Sequence, residues 1–131
     1  MFLKFDDQKK KLIDVSKNKK ESNLEFLRRQ LDCNLVSVET IDYLDVWVDE
    51  EGLLTSNYEN IHTVTIYDEE EIVEQITIAG SFVFASYNHE GETLPLSSND
   101  KKYIRDNIKI TSETPQEYYN RMQPVDYDDG F

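Results

Sequence analysis

The hydrophobic and polar positions of this chain alternate more often than they recur at helical spacing. "MFLKF" sets Phe2 and Lys4 against Leu3 and Phe5, and predicts a first short strand; residues 12–15 predict a second. In "SNLEFLRRQLD", Ser22 and Glu25 stand three apart as a capping box. Leu24, Leu27 and Leu31, with Phe26, then follow at helical spacing. This predicts a helix over about 23–32, with Arg28 and Arg29 complementing its C-terminal dipole. "LVSVETI" and "YLDVWVD" return to alternation: Leu44, Val46 and Val48 share one face, and Tyr43, Asp45, Trp47 and Asp49 the other. "HTVTIY" and "SFVFASYN" predict two more strands, the second with Phe82 and Phe84 opposite Val83, Ala85 and Tyr87. The glycines of "DEEG" (49–52) and "NHEGE" (88–92) read as turns closing strands of one sheet.

The run "DEEEIVEQ" fits two structures. Asp68 and Glu71 can cap a short helix with Ile72, Val73 and Ile76 inward, or the run can open the strand that continues as "ITIAG". The cap pattern favours the short helix. Farther on, Ser97 or Ser98 opens a helix near 99–109 with Tyr103, Ile104 and Ile108 on its apolar side. Thr114, Pro115 and Glu117 mark another helix start, at the cap, first and third positions. The sum is an α+β fold, a mostly antiparallel sheet packed by two to three helices. Residues 1–122 are expected to form one domain, with a basic N-terminal arm within 1–22. Residues 123–131 are expected to form an acidic flexible tail that could order on a partner.

Charge changes this picture more than composition does. The net charge is −13, yet residues 1–29 carry +4 and residues 30–98 hold fifteen acids without a single Lys or Arg. A field of one sign over that length attracts basic partners and repels nucleic acid, whose recognition needs clustered Lys and Arg. Solubility alone is the plainer explanation of such charge. Cys33 is the lone cysteine, which excludes an internal disulfide and any multi-cysteine zinc site. With no apolar signal region and no run of about 18 apolar residues, the expected location is cytoplasmic and no membrane is involved.

The middle of the chain resembles a domain of unknown function, family 3846, found among accessory proteins of phages and plasmids. The resemblance rests on "YLDVWVDEEGLL", the Asn60 that follows, "ITIAGSFVFASYN" and "EGETLPLS", and covers about residues 35–108. The family pattern usually has Asp or Asn after the "I-x-G" glycine, where this chain has Ser81. The resemblance lends no catalytic residues. It implies a gene of a mobile element, a setting in which many small proteins act against host defence.

No nucleophile–base pair, phosphate loop or metal-ligand spacing emerges from the residues, so no enzyme activity, cofactor or metal is expected. His62 and His89 are far apart and read as structural or solvated. Cys33 has no basic neighbour to activate it. If the two glycine turns met, Asp49, Glu50 and Glu51 could join Glu90 and Glu92 around a hard cation, although "DEEGLLTSNYEN" lacks the order of an EF-hand loop. The acids themselves suggest a partner-binding surface of Asp45, Trp47, Asp49, Glu50, Glu51, Asp68, Glu69, Glu70, Glu71 and Glu74. Trp47 reads equally as an interface anchor or as a core residue under a helix. The expected function is an acidic, non-catalytic inhibitor of a basic, nucleic-acid-handling host defence protein, of anti-CRISPR or anti-restriction type. The alternative is a cation- or small-molecule-binding module with the acidic turns as ligands.

Overall fold

A computed structural model describes residues 1–55 and 58–122; the expected acidic tail, residues 123–131, lies outside the described residues. The fold is α+β, with mostly antiparallel sheets. The first sheet runs β2 (Lys11–Val15), β1 (Phe2–Asp6), β7 (Phe82–Tyr87), β4 (Leu44–Asp49), β3 (Val36–Ile41). A two-residue strand, β8 (Thr93–Leu94), extends the pairing of β7 beyond β1, and the Leu96 N–H donates to the Met1 carbonyl. The second sheet has β5 (Ile61–Asp68) at its centre, between β6 (Glu71–Ala79) and β9 (Ile108–Glu113).

Alternation sorts the strands into three layers. Leu3, Phe5, Leu44, Val46, Phe82 and Phe84 face the second sheet and meet Val64, Ile66 and Ile78 in the main core. The opposite face of the first sheet presents Phe2, Val83 and Ala85 to Phe26, Leu27 and Leu31 of helix α1 (Asn23–Leu31). Burying each such side chain contributes about 1.5–3 kcal/mol, so both faces of this sheet are committed to packing. The Ser22 hydroxyl accepts from the Glu25 N–H at 3.1 Å, and the Glu25 carboxylate accepts from the Ser22 N–H at 2.8 Å, completing the expected capping box. Helix α3 (Ser98–Asn107) repeats that box with Ser97 and Asp100, and seats Ile104 in the main core.

Three expectations are corrected. Residues 71–79 are strand, and Asp68–Glu71 is a hairpin: Asp68 pairs with Glu71 around a two-residue turn of Glu69 and Glu70. The capping signal is outweighed because Ile76 and Ile78 pack into the core at strand spacing, where a helix would turn one of them away. Ile108 lies outside the helix near 99–109. It opens β9, whose Ile108 and Ile110 alternate with Lys109 and Thr111. The "DEEG" segment is not a hairpin turn. It leads from β4 into α2 (Gly52–Thr55), a single helical turn, and on to the other sheet. "NHEGE" does close a hairpin, between β7 and β8, with Gly91 at φ +81°. The last helix, α4 (Pro115–Met122), starts as expected at Thr114, whose hydroxyl accepts from the Glu117 N–H.

Candidate functional site

The acids expected to bind a partner fall into two groups at opposite ends of the sandwich. Asp49 and Glu50 lie beside Ala79, at the C-terminal end of β6. Asp68–Glu71 forms the turn at its N-terminal end, eight residues away, or about 26 Å along a strand. "NHEGE" follows the end of β7 that pairs toward Asp45, so the two glycine turns also lie at opposite ends of the first sheet. They do not meet, and among the described residues no group of three His, Cys, Asp or Glu is placed to hold a metal ion.

The Asp68–Glu71 end is the more built of the two. Glu69 and Glu70 have φ of +50° and +76°, which a two-residue turn of this type demands but which Asn and Gly tolerate far better. Beside the turn the pairing of β5 with β6 shifts between Ile66 and Tyr67, and Ile72 and Val73 are left 60% and 59% exposed. The β3–β4 turn approaches from the other sheet: the Asp42 N–H donates to the Glu74 carboxylate at 3.2 Å. The Tyr103 hydroxyl donates to Asp42 at 2.6 Å, and its ring meets Tyr43 at 5.0 Å. Asp42, Tyr67, Asp68, Val73, Tyr103 and Asn107 enclose a hollow of about 270 Å³. Burial, together with the hydrogen bond and charge of Asp42, holds the Tyr103 phenol protonated well above its usual range. Lys109 of β9 stands 5.9 Å from the Tyr67 ring centroid.

The Asp45–Glu51 residues behave differently. Asp45 accepts from the Thr40 hydroxyl at 2.9 Å, and burial raises its pKa. Trp47 is half-buried and packs against the α1-side cluster, with its Nε1 buried and without a hydrogen-bond partner among the described residues. Asp49 is occupied: it accepts from the Tyr58 hydroxyl and from the Glu51 N–H. Glu50 and Glu51 are exposed. The two acidic ends are joined along the open side of the sandwich, where the outer edges of β3 and β6 run side by side. Ser37 and Glu39 from β3 face Thr77, Ile78 and Ala79 from β6 across a hollow of about 120 Å³ that also takes in Glu50 and Leu53.

Sequence reasoning missed a second polar assembly. His62 on β5 is fully buried; its Nε2 lies 2.8 Å from Asp7 and its Nδ1 2.7 Å from the Ser112 hydroxyl. Aspartate, histidine and serine in a row have the composition of a hydrolytic triad. Here no solvent reaches the imidazole, so it cannot pass a proton to a leaving group. Asp7 also accepts the Glu59 N–H, and its carbonyl accepts the Asn60 amide. The row therefore ties the β1–β2 turn, β5 and β9 together across the two sheets. Burial keeps His62 neutral by lowering its pKa, and the Asp7 hydrogen bond opposes this without prevailing. No local motif announces the tie, because its members are 50 and 55 residues apart. The Cys33 thiol is pushed up to about 11 by burial and by the charges of Asp49 and Asp32, so it stays protonated. A groove of about 550 Å³ between the outer face of the second sheet and α4 is lined by Thr63, Thr77, Thr111, Ser112 and Arg121, and contains none of the expected partner-binding residues.

The motif residues of the chain converge on one structural junction. A Cβ on Gly52 would stand 2.9 Å from the Ala79 carbonyl oxygen, so that glycine is needed for close approach and not for a positive φ. Gly80, the glycine of "I-x-G", has φ +84°, and a Cβ there would stand 2.7 Å from the Tyr58 ring. Its N–H donates to the Asn60 carbonyl, and Ser81 accepts the Asp7 N–H. No helix among the described residues is long and apolar enough to cross a membrane. No curated protein and no solved structure matches the chain. The family model for the domain of unknown function DUF3846 matches residues 2–109, extending the resemblance through the basic N-terminal hairpin and α1, and the chain belongs to that family.

Proposed function

We propose that this chain is a non-catalytic interaction protein that presents an acidic side to a basic surface of a nucleic-acid-handling protein and inhibits it. In the mobile-element setting, that partner is a host defence nuclease of the CRISPR or restriction kind. The observation that carries the reading is the open side running from Asp68–Glu71, through Glu74, Asp42 and Glu39, to Glu50, with Ile72 and Val73 exposed at one end. Residues 30–98 supply no cation to neutralise it. Exposed apolar side chains rimmed by uncompensated charge suit docking: the apolar contact holds the partner and the charge steers it. The Glu69–Glu70 turn supports the same reading, because each positive φ costs about 1 kcal/mol that Asn and Gly would avoid. Replacing Asp68, Glu69, Glu70 and Glu71 by Lys is expected to reduce capture of the partner from host extract at least tenfold. Replacing Lys9, Lys10 and Lys11 by Glu serves as the comparison and is expected to have little effect. Equal losses from the two variants would contradict the reading.

A further inference from the structure

Among the described residues five strands have an unpaired side; β8 is only two residues long, and three of the other four are shielded. The β2 edge is spanned by an ion pair from α3, Lys101 to Asp14 at 3.0 Å. The β6 edge has the register shift beside Ile72–Val73 and is approached by Gly52 of α2 at Ala79. The β9 edge runs into α4, where Arg121 pairs with Glu113 at 2.6 Å. Strand β3 has none of these. Its six residues pair regularly with β4 from Val36 to Ile41, without a bulge, proline or lysine. Its one protective device is Glu39, an acid on the face toward the second sheet, which opposes an acidic strand and leaves the edge a template for a basic one.

The register fixes which groups the β3 edge offers. Asp42 and Tyr43 form a two-residue turn, so Ile41 and Leu44 are a hydrogen-bonded pair. Pairs alternate along an antiparallel ladder, so the N–H and C=O of Val38 and Thr40 point away from β4. Among the described residues, no strand pairs with them. The side chains define what would lie alongside. On the α1 face, Val83, Trp47 and Val38 form one cross-strand row, and Val38 at its end is 41% exposed. On the opposite face, Phe84, Val46 and Glu39 form the next row, and Glu39 is exposed in the seam. An added strand would continue the first row with an apolar residue and the second with a Lys or Arg.

We infer that the β3 edge receives an extended partner segment in which Lys or Arg alternates with apolar residues, added as a further strand of the first sheet. This rests on the interaction reading above and specifies its geometry. Charge complementarity selects the occupant: Glu39 and Glu74 line the seam, Glu50 closes one end and Asp42 the other. The same acids oppose a second copy, because pairing β3 with itself brings Glu39 toward Glu39.

The probe is a blocked heptapeptide of alternating Val and Lys, compared with the same peptide N-methylated at alternate residues, which keeps the charge and removes hydrogen-bond donors from one edge. The expected result, by calorimetry at low salt, is at least tenfold tighter binding of the unmethylated peptide, with slowed amide exchange at Val38 and Thr40. Val38→Pro removes an outward N–H and leaves the β4 ladder intact; it is expected to abolish the difference between the peptides. Should that variant fold poorly, Glu39→Lys tests the second row and is expected to weaken the unmethylated peptide at least fivefold. Equal binding of the two peptides overturns strand addition and leaves charge-driven interaction standing. Binding of neither at low salt overturns the β3 assignment, and the charge-reversal capture then decides the interaction reading separately. Dimerisation on light scattering, with both amides protected, assigns the edge to a second copy and overturns the proposal.

Discussion

The Asp7–His62–Ser112 tie and the acidic side along β3 and β6 invert what their residue types suggest. The first has the composition of a reaction centre, but its imidazole is fully buried and both ring nitrogens are satisfied inside the fold, although Ser112 reaches a groove wall. The second is a plain collection of carboxylates and backbone edges, and it stays open. Burial makes the difference. A buried polar group must find its partners within the molecule, and once it has them nothing remains for a ligand. An acid that is exposed, uncompensated and set in a strained turn keeps its capacity for something else.

Asp7→Ala leaves His62 and the Glu59 N–H without their buried acceptor. We expect a loss of about 3 kcal/mol in urea unfolding; a loss near zero would mean the tie does not hold the sheets together. Gly80→Ala combines a left-handed φ with a collision against Tyr58 and is expected to cost about 2 kcal/mol in the same measurement. Changes on the acidic side run the other way. Replacing Glu69 by Asn and Glu70 by Gly relieves two positive φ angles and is expected to stabilise the fold by about 1 kcal/mol while weakening partner capture. A variant that gained stability and lost no binding would remove the turn from the interaction account.

The smallest effect is on pH. Burial lowers the His62 pKa from 6.5, so below pH 6.5 the unfolded chain takes up a proton that the folded chain refuses. The stabilisation is complete above that value and is lost as pH falls below it. The midpoint difference between the wild type and His62→Gln should therefore narrow between pH 7.5 and pH 5.5 if the neutral imidazole is the stabilising form.

Much of the fold was legible because strand alternation and caps are local. The strands around Val46 and Phe84, the Ser22–Glu25 capping box and the Pro115 helix start needed only neighbours within a few residues. Strand β6 is not legible locally, because Asp68 and Glu71 also have cap spacing and only packing of Ile76 and Ile78 in the core distinguishes the two outcomes. The candidate site was legible as charge and illegible as geometry. The sequence shows fifteen acids without a cation, but not that Asp49 and Asp68 stand at opposite ends of a sandwich. Nor does it show that Asp42 meets Glu74, or that β3 is an edge strand. The exposure of Ile72 and Val73 follows from a register shift that no local pattern encodes.

The acidic side is tested by a salt titration of partner capture by the full chain. Exposed acids acting on a basic surface are screened as the Debye length shrinks from about 10 Å at 0.1 M salt to about 3 Å at 1 M. Capture by the wild type is expected to fall steeply across that range, with weak capture and a flat response when Asp68–Glu71 is replaced by four lysines. Capture that is insensitive to salt, or a lysine variant that retains the wild-type profile, would contradict the interaction reading.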